Sequence, residues 1–142
     1  MEVDHNGLEV LDRSECLRLL SRSSLGRIGF TSGALPTVLP VNFHLDGERI
    51  LVRIRRGSRL DDALRNAVVA FEADDLEPEA HTGWSVAVTG LATAVRDLAE
   101  LDDARHEPAD RWTPSPGDSL VAISTELLTG RRVTGGSGPT RR

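Results

Sequence analysis

The 142-residue chain contains no lysine, no tyrosine and no glutamine, so all 17 of its basic residues are arginine. Without an amine side chain it forms no Schiff base with pyridoxal phosphate and builds no Walker P-loop. A genome favouring GC-rich codons accounts for the exchange of lysine for arginine. Cysteine is almost absent too. The single Cys16 makes neither an intrachain disulfide nor a Cys-x-x-Cys zinc pair, which fits a reducing cytoplasm. The longest apolar runs, such as Ala67 to Phe71, fall far short of the roughly 20 residues of a membrane helix. The first 15 residues carry Glu2, Asp4, Glu9, Asp12 and Glu15 and lack the basic and apolar regions of a signal peptide. The net charge is −5 with no long basic block, so a nucleic-acid backbone finds no extended face to grip. A cytoplasmic, soluble protein with no membrane and no nucleic-acid partner is expected.

What is present reads as one domain over 1–133, followed by a Gly-, Ser- and Pro-rich tail, 134–142, expected to be disordered. Asp12 and Glu15 have capping-box spacing before Cys16, Leu17 and Leu20, which predicts a first helix over about 13–22. Strands are predicted over 25–31, 36–45 and 48–54, the last two joined by Asp46-Gly47 with both residues at positive φ. Ser58 and Asp61 predict a short helix over about 59–65. Two further strands, 67–73 and 84–95, flank an acidic loop, 74–83. A surface helix is expected over 97–106, then a Pro-rich turn and final strands over 119–124 and 127–133. Many short strands with few helices predict a mainly β fold, a closed or half-closed antiparallel barrel with helices outside it. No Gly-x-Gly-x-x-Gly follows a strand, so a dinucleotide-binding sheet is excluded.

The segment with most chemistry is Arg53 to Leu60, four arginines around Gly57 and Ser58 at a predicted helix start. Helix-start amides, a glycine that admits an anion to the backbone and forked guanidinium donors all suit a phosphate dianion. Each charge-assisted bond contributes about 1.5–3 kcal/mol and the helix end about 0.3–1 kcal/mol, so the arginines dominate. On spacing alone a solvated basic turn, with Ser58 merely capping its helix, remains open.

Leu25-Gly26-Arg27-Ile28-Gly29-Phe30, Pro40-Val41-Asn42-Phe43, Gly57-Ser58-Arg59-Leu60 and Gly83-Trp84-Ser85-Val86-Ala87-Val88-Thr89-Gly90 follow one another in that order. Together they resemble the FMN-binding split-barrel family, the pyridoxamine 5′-phosphate oxidase-like group in its short actinobacterial form. The similarity spans about 8–133, including Thr129-Gly130-Arg131-Arg132-Val133. It implies a six-stranded antiparallel Greek-key split β-barrel that forms homodimers and holds FMN, or a deazaflavin, between subunits. By that resemblance Arg53, Ser58 and Arg59 hold the ribityl phosphate, with Arg59 where many relatives carry lysine. Val41 and Asn42 run beside the isoalloxazine ring, and Trp84 and Ser85 approach it across the dimer interface. Trp112 either covers the groove or fills a core or dimer contact. The resemblance implies a small FMN-dependent oxidoreductase acting on a small-molecule redox substrate. No catalytic side chain is assigned, because the flavin ring carries the chemistry. Longer family members that oxidise pyridoxamine phosphate add an Arg-Leu-x-Pro segment, which this chain lacks.

Other constellations are weaker. His5, His44, His81 and His106 are dispersed, and no metal site is expected. His44 shares a strand face with Asn42 and either touches a ligand or fills the barrel rim. Cys16 reads as an inert core residue. The acidic run Glu72, Asp74, Asp75, Glu77 and Glu79 reads as a solvated loop. Two rival functions stand beside FMN: a deazaflavin-dependent reductase on the same fold, and a non-catalytic barrel dimer that binds haem, with His44 as ligand, or another molecule.

Overall fold

The computed structural model describes residues 2–101 and 117–134. The elements are β1 (Glu2–Val3), β2 (Glu9–Leu11), α1 (Arg13–Ser21), β3 (Leu25–Ser32), β4 (Leu35–Asp46), β5 (Arg49–Arg55), α2 (Arg59–Leu64), β6 (Ala67–Glu77), β7 (Thr82–Ala94), β8 (Asp118–Ile123) and β9 (Leu127–Val133), with one 3-10 turn at Leu98–Glu100. The expected barrel is there. β3, β4 and β5 form a meander, and the chain returns through α2 to lay β6 beside β3. β7 pairs with β6, and β8 pairs with both β5 and β7, so six antiparallel strands close on themselves. β9 pairs with the other half of β7, and β2 and β1 follow it outward.

The interior is set by period-two alternation, which sends every second side chain of a strand to one face. Ile28 and Phe30, Ile50 and Val52, Val69 and Phe71, Val86 and Val88 point inward and are buried together. Phe43 meets Phe71 edge to face, with ring centroids 4.8 Å apart. α1 starts where Asp12 accepts from the Glu15 amide at 2.8 Å. It buries Cys16, Leu19 and Leu20, so Leu19 rather than Leu17 completes the apolar stripe. Gly130 on β9 lets this helix sit close, because a Cβ there would strike the Cys16 sulfur.

Two local expectations are corrected. The segment 74–83 is not a loop: Asp74 pairs with Ser85, Asp75 with Trp84 and Glu77 with Thr82, leaving only four residues to turn the chain. Strand pairing outweighs the poor β-propensity of aspartate there. The β4–β5 turn closes with Asp46 opposite Arg49, so its loop residues are Gly47 and Glu48. Gly47 alone takes positive φ, +62°, while Asp46 ends the strand. Of the segment 97–106, where a helix is expected, the described residues form only the short 3-10 turn, and 102–106, like Trp112 and the tail beyond Thr134, lie outside the described residues. Among the described residues no helix is long and apolar enough to cross a membrane.

Candidate functional site

The basic turn after β5 forms as a capped helix start, and the amides of Gly57, Ser58 and Asp61 already have partners within it. Ser58 Oγ accepts from the Asp61 amide at 3.1 Å, and the Asp61 carboxylate accepts from the Gly57 amide at 2.8 Å. Asp61 is only 4% exposed and also lies 3.4 Å from Arg65. A buried carboxylate therefore sits where a phosphate oxygen would meet the Gly57 N–H. Charged side chains are therefore the strongest anion donors here. Arg53 and Arg59 are exposed, and the Ser58 hydroxyl, although accepting from Asp61, keeps its own proton to donate. Arg53 and Arg55 point outward because Val52 and Ile54, their strand neighbours, fill the core. Arg56 is turned aside, donating to the Asp118 carbonyl at 3.1 Å.

Strand β4 supplies the second part of the site. It changes partner midway, pairing through Asn42 with β3 and from Phe43 onward with β5. The Phe43 amide donates to the Ser24 carbonyl at 2.9 Å, so odd-numbered residues of β4 direct their backbone groups toward β3. Even-numbered residues direct theirs to the opposite edge. Among the described residues no strand pairs with that edge over Leu35–Asn42. Pro36 and Pro40 remove two of its N–H groups, and the amides of Val38 and Asn42 are the donors left. A planar ring with polar edges matches such a strip. Val41, by contrast, faces β3 with its backbone and packs its side chain on the core. Of the two β4 residues implied by resemblance, Asn42 is therefore the one whose amide and exposed side chain both face outward.

Trp84 and Ser85 are neighbours on β7 and consequently face opposite ways. Trp84 packs against the barrel core. Ser85 lies on the outer face, donating to Glu72 Oε2 at 3.0 Å. Glu72 Oε1 and Asp74 Oδ2 share one nitrogen of Arg27, at 3.1 and 3.3 Å. The acidic run is thus no solvated loop; Glu72 and Asp74, two of its five carboxylates, face a guanidinium on a strand surface. Burial pushes the Glu72 carboxyl above its ordinary value, and the adjacent Asp74 adds to the rise. Asn42 and Ser85 share the outer face but are separated by β3 and β6. Three strand spacings of about 4.8 Å put them about 14 Å apart.

His44 also faces outward, opposite Leu51, beside a small second cluster of Leu51, Leu101, Leu120 and Ala122. Among the described residues no group of three or more metal-ligating side chains assembles. The capping pair Ser58 and Asp61 is legible in the sequence and forms, whereas sequence reasoning missed the Val38 amide, the bond from the Gly57 amide to Asp61 and the Arg27–Glu72–Asp74 cluster. The proline pair Pro36 and Pro40, two even positions of one strand, is the signal that marks the first.

The family model described as pyridoxamine 5′-phosphate oxidase matches residues 12–132. The chain belongs to the pyridoxamine 5′-phosphate oxidase family. Protein Rv0080 of Mycobacterium tuberculosis is 42% identical over 133 residues, covering 89% of this chain and 86% of the relative. Among solved structures, the FAD binding protein of Mycobacterium smegmatis superposes with a TM-score of 0.69 at 33% identity, covering 88% and 97% of the two chains. A FAD-binding protein of Mesorhizobium loti gives 0.70 at 20% identity, covering 89% and 97%, and there the likeness shows the fold alone. Within the pyridoxamine 5′-phosphate oxidase family the chain has the split-barrel fold, and the donors above suit a ligand that carries both a phosphate and a polar ring edge: guanidinium groups for the first, strand amides for the second.

Proposed function

We propose that this protein binds FMN and serves as a small oxidoreductase, with Arg53, Ser58 and Arg59 holding the phosphate. The observation that carries the reading is the pairing of outward guanidinium groups, beside a capped helix start, with a half-open strand edge at Val38 and Asn42. A bound flavin supplies hydride and electron transfer from its own ring. The chain's work is to bind, orient and exclude water. Arg53 and Arg59 neutralise the dianion, the Ser58 hydroxyl donates to it, and the Asn42 amide fixes the ring edge. Ser85 stands too far from Asn42 to reach the same ring within one chain, so the reading includes a homodimer in which a second copy contributes Ser85. A small-molecule redox substrate enters between the copies.

The test is a titration with FMN and with riboflavin, which lacks the phosphate. Losing one charge-assisted bond costs about 1.5–3 kcal/mol, so Arg59→Ala should weaken FMN binding roughly 10- to 100-fold. Riboflavin binding should be unchanged. Equal FMN affinity in parent and variant overturns the phosphate assignment. FAD is the second reading, favoured because the Mycobacterium smegmatis neighbour at 33% identity is a FAD binding protein. Titration with FAD and with a deazaflavin separates these cofactors, and indifference to all three leaves a non-flavin ligand, haem included.

A further inference from the structure

The outer face of the sheet β9-β7-β6-β3-β4 carries more exposed apolar surface than a solvated sheet needs. Its side chains fall in rows across the strands. One row runs Val38, Gly29, Ala70, Thr89, Leu127, and the next residues outward along the strands form the pairs Pro36 with Thr31 and Val68 with Leu91. Val38, Leu127 and Val68 are 66%, 67% and 70% exposed. The first row is a trough: Gly29, Ala70 and Thr89 stand low between Val38 and Leu127. Val68 beside Leu91 forms a ridge. Trough and ridge on one surface are self-complementary, because a two-fold turn lays each ridge in the other copy's trough. With strands about 4.8 Å apart and residue pairs about 6.8 Å along them, the face spans about 20–25 Å each way, the order of the ~800 Å² per partner of a stable interface.

Beside the trough lies the only charge on the central strands of this face among the described residues: Arg27 of β3 with Glu72 and Asp74 of β6, bonded to Ser85 of β7. β9 brings Arg131 opposite Ser85, but that guanidinium is engaged by Asp4 at 2.7 Å. β4 presents Pro40 and Asn42 to the cluster. Two carboxylates thus share one cation, and each copy offers a net negative spot to its mate.

We propose that this face is where a second copy docks, and that the Arg27–Glu72–Asp74–Ser85 cluster is a proton-linked lock on the association. It deepens the homodimer of the preceding reading and rests on it for the partner alone, not for the cofactor. Covering the cluster removes water from a carboxylate pair with a single counter-charge, so the assembled state takes up a proton that the free chain holds less tightly. The raised affinity of Glu72 for its proton in the single chain points the same way. Because the assembled form binds more protons, association strengthens as pH falls and weakens as it rises.

Sedimentation equilibrium of the flavin-free protein at about pH 5.5 and about pH 8 reads this directly; with one proton per copy, the dimer dissociation constant should rise at least about 10-fold toward the higher pH. Glu72→Gln, which keeps the Ser85 and Arg27 partners but cannot ionise, should abolish that dependence and hold the dimer tight at the higher pH. Val68→Asp should give monomers at both. A pH-independent dissociation constant, an unaltered pH dependence in Glu72→Gln, or a dimer that survives Val68→Asp each overturns the proposal. A chain that stays monomeric throughout does so too. Since no flavin is present, none of these outcomes depends on the phosphate assignment, and Arg59→Ala should associate like the parent.

Discussion

Ala34 holds a backbone conformation that costs it stability. Ser32 pairs with Leu35, so Gly33 and Ala34 are the two loop residues of the β3–β4 hairpin, with φ of 58° and 66°. Both signs are positive, as the right-handed strand twist requires of a two-residue hairpin. An alanine in that region is disfavoured by about 1–2 kcal/mol, and glycine is not. Ala34→Gly should therefore stabilise the fold by about 0.5–1 kcal/mol after glycine's extra chain entropy is subtracted. Urea unfolding midpoints check this, and a lower midpoint overturns the turn assignment. Asp61 makes the contrasting case, a residue whose loss removes several bonds at once. Its carboxylate is buried on the Gly57 amide and near Arg65. Asp61→Ala should cost about 1–3 kcal/mol by stranding that amide. It should also weaken FMN relative to riboflavin, because the turn presenting Ser58 and Arg59 loses its brace. A variant that loses stability but retains the parent's FMN-to-riboflavin ratio shows that Asp61 braces the helix and not the phosphate donors.

The elements themselves were largely written in the sequence, since alternation and capping act locally. Asp12 and Ser58 mark both α-helix starts, and buried alternation marks β3, β5, β6 and β7. What escaped was set by partners distant in the chain. Asp74 to Glu77 read as loop because acidic residues are poor strand formers. Yet β7 opposite, and Arg27 across on β3, supply the pairing and the counter-charge. β1 and β2 are too short to show a period, and they exist because β9 offers an edge. The same limit applies to the site. The basic turn with Arg53, Ser58 and Arg59 is legible as a local motif, whereas Val41 and Asn42 are reached only through the family resemblance. That Val41 turns its backbone to β3 while Val38 and Asn42 face the open edge follows only from the register.

At the scale of the whole molecule, closure depends on a clasp between segments far apart in the chain. Arg13, at the start of α1, donates to the Thr125 carbonyl at 2.7 Å and to its hydroxyl at 3.0 Å, and pairs with Glu48 at 2.6 Å. Thr125, 3% exposed between β8 and β9, donates in turn to the Glu48 carbonyl in the β4–β5 turn. One guanidinium therefore ties α1, the meander and the link from β8, which closes the barrel, to β9. The bonds to Thr125 and the ion pair to Glu48 differ in worth. Glu48 is well exposed, and a solvated ion pair contributes about 0–1 kcal/mol. A charged donor on a buried carbonyl contributes about 1.5–3 kcal/mol, and its loss strands that acceptor. Arg13→Ala should consequently destabilise by about 1.5–3 kcal/mol, a fall in Tm of about 5–12 °C at this chain length. Glu48→Ala should remain within about 0.5 kcal/mol of the parent. Calorimetry on the two variants separates the contributions. Equal losses would mean that the exposed ion pair, and not the buried threonine, holds the α1 end of the barrel in place.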